Sequence, residues 1–176
     1  MKNTNVSNLI FIIGFMGVGK TFYGKLLANA INYNFLDTDQ IIEKKEDLSI
    51  QEIFKLKGEE YFRALEKEVI HEILPKNNCV ISCGGGLPMI DGLFDILKAN
   101  GIVIGLIASK ENILKRTNSS KRPLLDVSKP DEVIHKLLIK REPIYLKSDI
   151  CINTDNTPSS VEKLLLDSYN NYINGF

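Results

Sequence analysis

Leu9-Ile10-Phe11-Ile12-Ile13 runs straight into Gly14-Phe15-Met16-Gly17-Val18-Gly19-Lys20-Thr21, and Phe22, Leu26, Leu27, Ala30 and Ile31 recur behind it at helical spacing. Five apolar residues bounded by glycine read as a buried strand, and the period after Lys20 reads as a helix over residues 20–31. The turn between them fits the phosphate-loop pattern G-x-x-x-x-G-K-[ST]. Its glycines let the backbone curl so that the N–H groups of Gly17, Val18 and Gly19 converge on phosphate oxygens, and the N-terminus of the helix adds partial positive charge. Lys20 then reaches the β- and γ-phosphates and the Thr21 hydroxyl is placed to ligate Mg²⁺. The expected ligand is a nucleoside triphosphate.

Working outward, a short strand at Asn34-Phe35-Leu36 ends in Asp37-Thr38-Asp39, and helical patterns follow over 39–46, 49–57 and 58–74. Cys79-Val80-Ile81-Ser82 is the next buried strand, stopped by Gly84-Gly85-Gly86. A helix around 89–99, a strand over 102–107 and a helix over 110–117 continue the alternation. Residues 118–130 are polar, carry Pro123 and Pro130 and lack periodicity, which marks them as a flap or lid. A helix over 131–142, a strand over 149–153 and a helix over 159–172 complete the chain. Five strands alternating with helices predict an α/β fold: a five-stranded doubly wound parallel sheet with ligands at the carboxyl ends of its strands. The whole chain, 1–176, reads as one phosphate-loop domain with a helical insertion over 37–74 and a lid over 118–130.

The chain has 176 residues, 44% of them hydrophobic, with 22 basic and 22 acidic side chains. That is enough for one real core and gives no net field to draw nucleic acid or an anionic membrane surface. No segment approaches the roughly eighteen apolar residues of a membrane helix. A cytoplasmic, monomeric protein is the expectation. Cys79, Cys83 and Cys151 are odd in number and lie in or beside apolar runs, which suits buried, reduced thiols rather than a metal centre.

A phosphate loop does not say where the γ-phosphate goes, so the acceptor site must come from other residues. Asp37 and Asp39 alternate after a strand, so one can face a metal while the other orients an acceptor hydroxyl and takes its proton; the competing reading is a pair of turn or capping aspartates. Arg63 shares a polar helix face with Glu59 and Glu66, which by itself describes a solvated ion-pair stripe. Gly84, Gly85 and Gly86 allow a ligand to approach the backbone closely, or simply form a tight turn. Arg122 sits in the flap, suited to cover a triphosphate. Arg141 falls at a helix end, where a cation suits the dipole. Arg63 and Arg141 together are suited to grip a carboxylate.

As a set, Gly14 to Thr21, Asp37-Thr38-Asp39, Phe62-Arg63-x-x-Glu66, Gly84-Gly85-Gly86, Arg116 with Arg122-Pro123-Leu124-Leu125, and Arg141-Glu142-Pro143-x-Tyr145 resemble the shikimate kinases, in order, from Ile12 to Pro158. The resemblance implies transfer of the ATP γ-phosphate to the 3-hydroxyl of shikimate, a step towards chorismate and the aromatic amino acids. It implies Asp39 as base and hydroxyl ligand, and Arg63, Gly84, Gly85, Gly86 and Arg141 as shikimate contacts. Lys20 and Arg122 fall on the transferring phosphoryl group, Thr21 and Asp37 on Mg²⁺, and Arg116 and Pro158 about the adenine. Phe22 departs from the family pattern, which more often has a small hydroxyl residue there beside the α-phosphate. The strand before the glycines ends in Ser82 rather than aspartate, which leaves Asp37 as the acid on the metal side. The rival readings are another small-molecule kinase of the same build, acting on gluconate or a nucleotide, and a non-catalytic ATP-sensing module.

Overall fold

The computed structural model describes residues 8–117 and 130–175. Its centre is β1 (Leu9–Gly14), whose six residues are all buried. Such a strand is apolar on both faces because both faces are covered by helices. It lies between β3 (Cys79–Ser82) and β4 (Ile102–Ile107), with β2 (Asn34–Asp37) outside β3 and β5 (Ile150–Asn153) outside β4. All four pairings are parallel. The five-stranded doubly wound sheet expected from the sequence is the one observed.

Strand register decides which residues meet. Ile12 pairs with Ser82 and Ser82 with Asp37, so three different chain segments leave the sheet at one edge. The phosphate loop, Thr38-Asp39 and Gly84-Gly85-Gly86 all begin there. On the other side Gly14 pairs with Leu106, and Ile107 with Asn153, which brings the exit of β5 to the same edge. Around the sheet, α1 (Lys20–Ala30) packs on β2 and β3 and touches α7 (Pro158–Asn174), which packs on β5. The right-handed crossovers from β2 to β3, β3 to β4 and β4 to β5 all run the opposite way from the first. They therefore carry α2 (Thr38–Glu46), α3 (Ile50–Ile73), α4 (Leu93–Asn100), α5 (Lys110–Thr117) and α6 (Pro130–Tyr145) to the other side. Among the described residues, no helix is long and apolar enough to cross a membrane.

Local chemistry accounts for most boundaries. The Asp37 side chain caps α2 by accepting from the N–H groups of Asp39 and Gln40, and Ser49 with Glu52 forms a capping box at the start of α3. The break expected between residues 57 and 58 is real: Gly58 has φ 83° and ψ 170° inside the long α3, a conformation open essentially to glycine alone. Two expectations are corrected. The helix near 89–99 is split into a 3-10 turn, Leu87–Met89, and α4, because Gly92 between them is left-handed (φ 72°). The helix expected to stop at 142 runs through Pro143 to Tyr145. An interior proline costs about 3 kcal/mol through one lost hydrogen bond and a steric clash. Here Tyr145 anchors the last turn: it is fully buried and its hydroxyl donates to the Gly85 carbonyl at 2.6 Å. Cys79 and Cys83 are buried as expected, but Cys151 is exposed, because the edge strand β5 covers only alternate residues.

Candidate active site

The phosphate loop closes upon itself. Gly19, with φ 93°, caps α1, and Lys20 folds back so that its ammonium donates to the carbonyls of Gly14 and Phe15 at 3.0 Å each. At the next residue, Thr21 Oγ1 donates to Asp37 Oδ2 at 2.9 Å, while Asp37 Oδ1 accepts from Asp39 N at 3.1 Å and Gln40 N at 3.4 Å. Asp37 thus caps α2 through one carboxylate oxygen and meets Thr21 through the other, as the capping reading expects. A cleft of about 330 Å³ opens between them, lined by Gly17, Gly19, Lys20, Thr21, Phe22, Asp37, Asp39, Ser82, Cys83 and Arg116. An adjoining hydroxyl and carboxylate are hard oxygen donors of the kind a magnesium ion takes while keeping most of its water. The residues present therefore fit that ion. Val18 is wholly buried, and the Phe22 ring is exposed at the rim, edge-on to Tyr23 with 5.0 Å between centroids.

Arg116 leaves α5 to meet the exit of β5. Its Nη2 donates to the Thr154 carbonyl at 2.6 Å, and its Nη1 to Thr154 Oγ1 at 3.1 Å and the Gly17 carbonyl at 3.5 Å. Thr154 is buried, and Asp155 beside it accepts from the Ser109 N–H and hydroxyl and from Asn112, which ties this exit to the segment leading into α5. Those bonds and burial in part act against each other on Asp155, with the net effect of holding its carboxyl below the usual range. Pro158 opens α7 and is exposed. Arg116 and the loop glycine are therefore brought together. Arg122 and the lid expected over 118–130 fall on residues 118–129, outside the described residues, and on Pro130, which begins α6.

The acceptor side is built from buried charges. Arg63 donates through Nη1 to Glu66 Oε2 at 2.5 Å and through Nη2 and Nε to Glu59 Oε1 at 2.8 and 3.2 Å. These are the ion pairs that helical spacing implies, yet only one end of the stripe is solvated: the Glu59 side chain is 56% exposed and the Glu66 side chain 0%. Burial pushes its carboxyl up to about 7, against the pull of the Arg63 guanidinium, with the nearby Asp39 carboxylate raising it further. Glu66 Oε1 has no hydrogen-bond partner among the described residues. Two of the three glycines answer this crowding. A methyl group on Gly84 would overlap Glu66 Oε1 and come within 2.8 Å of Asp39 Oδ1, and one on Gly86 would lie 2.5 Å from the Arg63 guanidinium. Gly84 N–H is held by Thr38 Oγ1 at 2.9 Å. Arg141 is buried rather than at a helix end, because α6 continues past it, and its guanidinium lies 5.9 Å from the centre of the Phe15 ring in the phosphate loop.

Asp39, Arg63, Gly84, Gly86 and Arg141 are thus brought to one place, and Asp39 also lines the phosphate cleft. Two members of this cluster were missed as functional candidates. Helical spacing from Arg63 puts Glu66 on the polar face, but it stands four residues from both Phe62 and Ile70, inside the buried stripe of α3. That spacing is the signal that could have found it. Tyr145 was read only as part of a motif; nothing local says that its hydroxyl reaches Gly85.

The family model described as shikimate kinase matches residues 16–169. A shikimate kinase of Thermodesulfovibrio yellowstonii is 43% identical over 168 residues, covering 94% of this chain and 97% of that protein. Among solved structures, a shikimate kinase from Acinetobacter baumannii in complex with shikimate superposes with a TM-score of 0.87 at 34% identity, covering 94% of both chains. One from Aquifex aeolicus does so with a TM-score of 0.84 at 38% identity, covering 96% of this chain and 99% of its own.

Proposed function

This chain belongs to the shikimate kinase family, and on that premise we propose that its cleft moves the γ-phosphoryl group of ATP to the 3-hydroxyl of shikimate, giving shikimate 3-phosphate and ADP. The observation that carries the assignment of roles is the double position of Asp39. It lines the phosphate cleft with Lys20 and Thr21, and it meets Glu66 across Gly84, in the cluster that holds Arg63. A carboxylate so placed can face an acceptor hydroxyl on one side while that molecule's own carboxylate is held on the other.

Arg63 and Arg141 pair with the shikimate carboxylate, and Gly84, Gly85 and Gly86 meet the substrate through their backbone. Asp39 orients the hydroxyl and accepts its proton as the new oxygen–phosphorus bond forms and the bond to the ADP oxygen breaks. Lys20, released from the carbonyls of Gly14 and Phe15, follows the charge on the transferring group, and the N–H groups of Gly17, Val18 and Gly19 cradle the other phosphates. Thr21 and Asp37 would hold Mg²⁺, which supplies charge neutralisation on the phosphates when bound. Arg116 and Pro158 flank the adenine, Phe22 covers the α-phosphate side through its backbone, and Arg122 supplies a second cation to the transferring phosphoryl group. The helical insertion over 37–74 is the acceptor-binding part of a single domain.

The reading is tested by ADP release from the purified protein with Mg²⁺ and ATP, alone and with shikimate, gluconate or a nucleoside monophosphate. Release that depends on shikimate is the expected result. Release that depends on another acceptor would reassign Arg63 and Arg141, and no ADP release under any of these conditions would reduce the chain to a nucleotide-binding module.

A further inference from the structure

Glu66 has no role in the transfer described above, yet it is the most deeply buried acid of the site. Its Oε2 binds Arg63, its Oε1 has no hydrogen-bond partner among the described residues, and only the missing side chain of Gly84 makes room for it beside Asp39 Oδ1. The groups that act on it come from every neighbouring element. Arg63, with Glu59 behind it, lies on its own helix, Asp39 on α2, Cys83 just past β3, and Arg141 and Tyr145 on α6. Cys83 and Tyr145 stay neutral, since burial drives the thiol and the phenol upward. Among the described residues, the charges that act on Glu66 from inside the pocket are therefore two arginines and the Asp39 carboxylate.

A bound carboxylate upsets that balance. It adds a third buried negative charge to the two arginines and competes with Glu66 for the Arg63 donors, and Glu66 cannot be rehydrated because its side chain is wholly enclosed. Ionised carboxyl groups crowded in a dry pocket relieve one another by taking a proton. We propose that Glu66 is a positioning residue that takes up a proton as the substrate carboxylate binds Arg63, so that acceptor binding is coupled to proton uptake. The proton has a defined place to go: Oε1, which as an O–H can then donate towards the Asp39 carboxylate across Gly84. Ionised, Glu66 holds Arg63 in the empty pocket; protonated, it leaves the guanidinium to the substrate. The carboxyl is already pushed up to about 7 without ligand, chiefly by burial, so a further negative charge carries it above the neutral range.

This inference rests on the shikimate reading, and calorimetry separates the two. Shikimate is titrated into the wild-type protein at pH 8 in phosphate and in Tris, whose ionisation enthalpies differ widely. The slope of observed heat against ionisation enthalpy counts protons. The expected result is uptake approaching one proton per site, abolished in Glu66→Gln while binding persists. Binding of shikimate with zero slope in the wild type overturns the proposal and leaves the functional reading standing, and so does an undiminished slope in Glu66→Gln. Absence of shikimate binding overturns the functional reading and this inference with it. Should Glu66→Gln fold poorly, the wild type suffices. Its shikimate dissociation constant is expected to rise with pH above 7, approaching about tenfold per pH unit as a one-proton linkage requires; a flat profile from pH 6.5 to 8.5 overturns the coupling.

Discussion

The two ends of the cleft are made of different materials. At the phosphate end, backbone groups do most of the work, and the side chains that matter are held by neighbours of modest cost: Lys20 by two carbonyls, Thr21 by Asp37, and Asp37 by two N–H groups. At the acceptor end, side chains do the work, and they are charged: Arg63 between the exposed Glu59 and the enclosed Glu66, Arg141 buried, and the half-buried Asp39 against Gly84. The first end recognises a group every nucleotide carries, so a local loop suffices. The second must select one acceptor, and its charges come from α2, α3 and α6, which only the fold brings together.

If the ends are separable in this way, each can be damaged alone. The largest effect is expected from Arg63→Ala, which strips a buried carboxylate of a charged partner and should weaken shikimate binding by roughly 2–5 kcal/mol. The Mg²⁺-ATP dissociation constant should hardly change. An unchanged shikimate KM would return Arg63 to a purely structural ion pair.

Stability should carry the same asymmetry. Glu66 has its carboxyl raised in the folded protein above its ordinary value of 4.5, so the folded state keeps a proton that the unfolded chain loses first. Its contribution is fully present below about 4.5 and disappears as pH rises to about 7, a loss on the order of 3 kcal/mol. Glu66→Gln should flatten this slope in thermal melts between pH 4.5 and 8. A parallel slope in both proteins would mean that Glu66 titrates normally.

Asp39 belongs to both ends and is the sharpest probe of their junction. Asp39→Asn should lower kcat by about 10²-fold or more while ATP affinity stays nearly intact. Normal turnover would remove it as the base. The smallest effect is expected at the phosphate end: Thr21→Val deletes a single hydrogen bond and should cost about 0.5–1.5 kcal/mol of stability, because Asp37 keeps the N–H groups of Asp39 and Gln40. A much larger loss in denaturant titrations would mean that the loop depends on that bond for its shape.

The same contrast explains what could be read from the chain alone. The phosphate loop, its strand and its helix form one contiguous stretch whose glycines and lysine have a single common purpose, so sheet, loop and cleft follow from it. The family motifs assign Asp39, Arg63 and Arg141 to one acceptor, and the structure sets all three about Glu66, but their spacing says nothing of that environment. Glu66 looked like a surface partner of Arg63 because Glu at i+3 from Arg is ordinary on an exposed helix; it is buried because the glycine loop after β3 covers α3 at that turn. Arg141 looked like a helix-end cation because Pro143 should stop a helix, and the contact that overrides this, Tyr145 to Gly85, joins segments far apart in sequence.

The most direct test of a cleft with two independently built ends is to titrate shikimate and Mg²⁺-ATP separately into a protein carrying both Arg63→Ala and Arg141→Ala. The account expects shikimate binding to vanish and Mg²⁺-ATP binding to stay within a few-fold of wild type, which also reports that the fold survives. Retained shikimate affinity would show that the arginines do not hold its carboxylate, and a parallel loss of both ligands would show that the two ends are one structure.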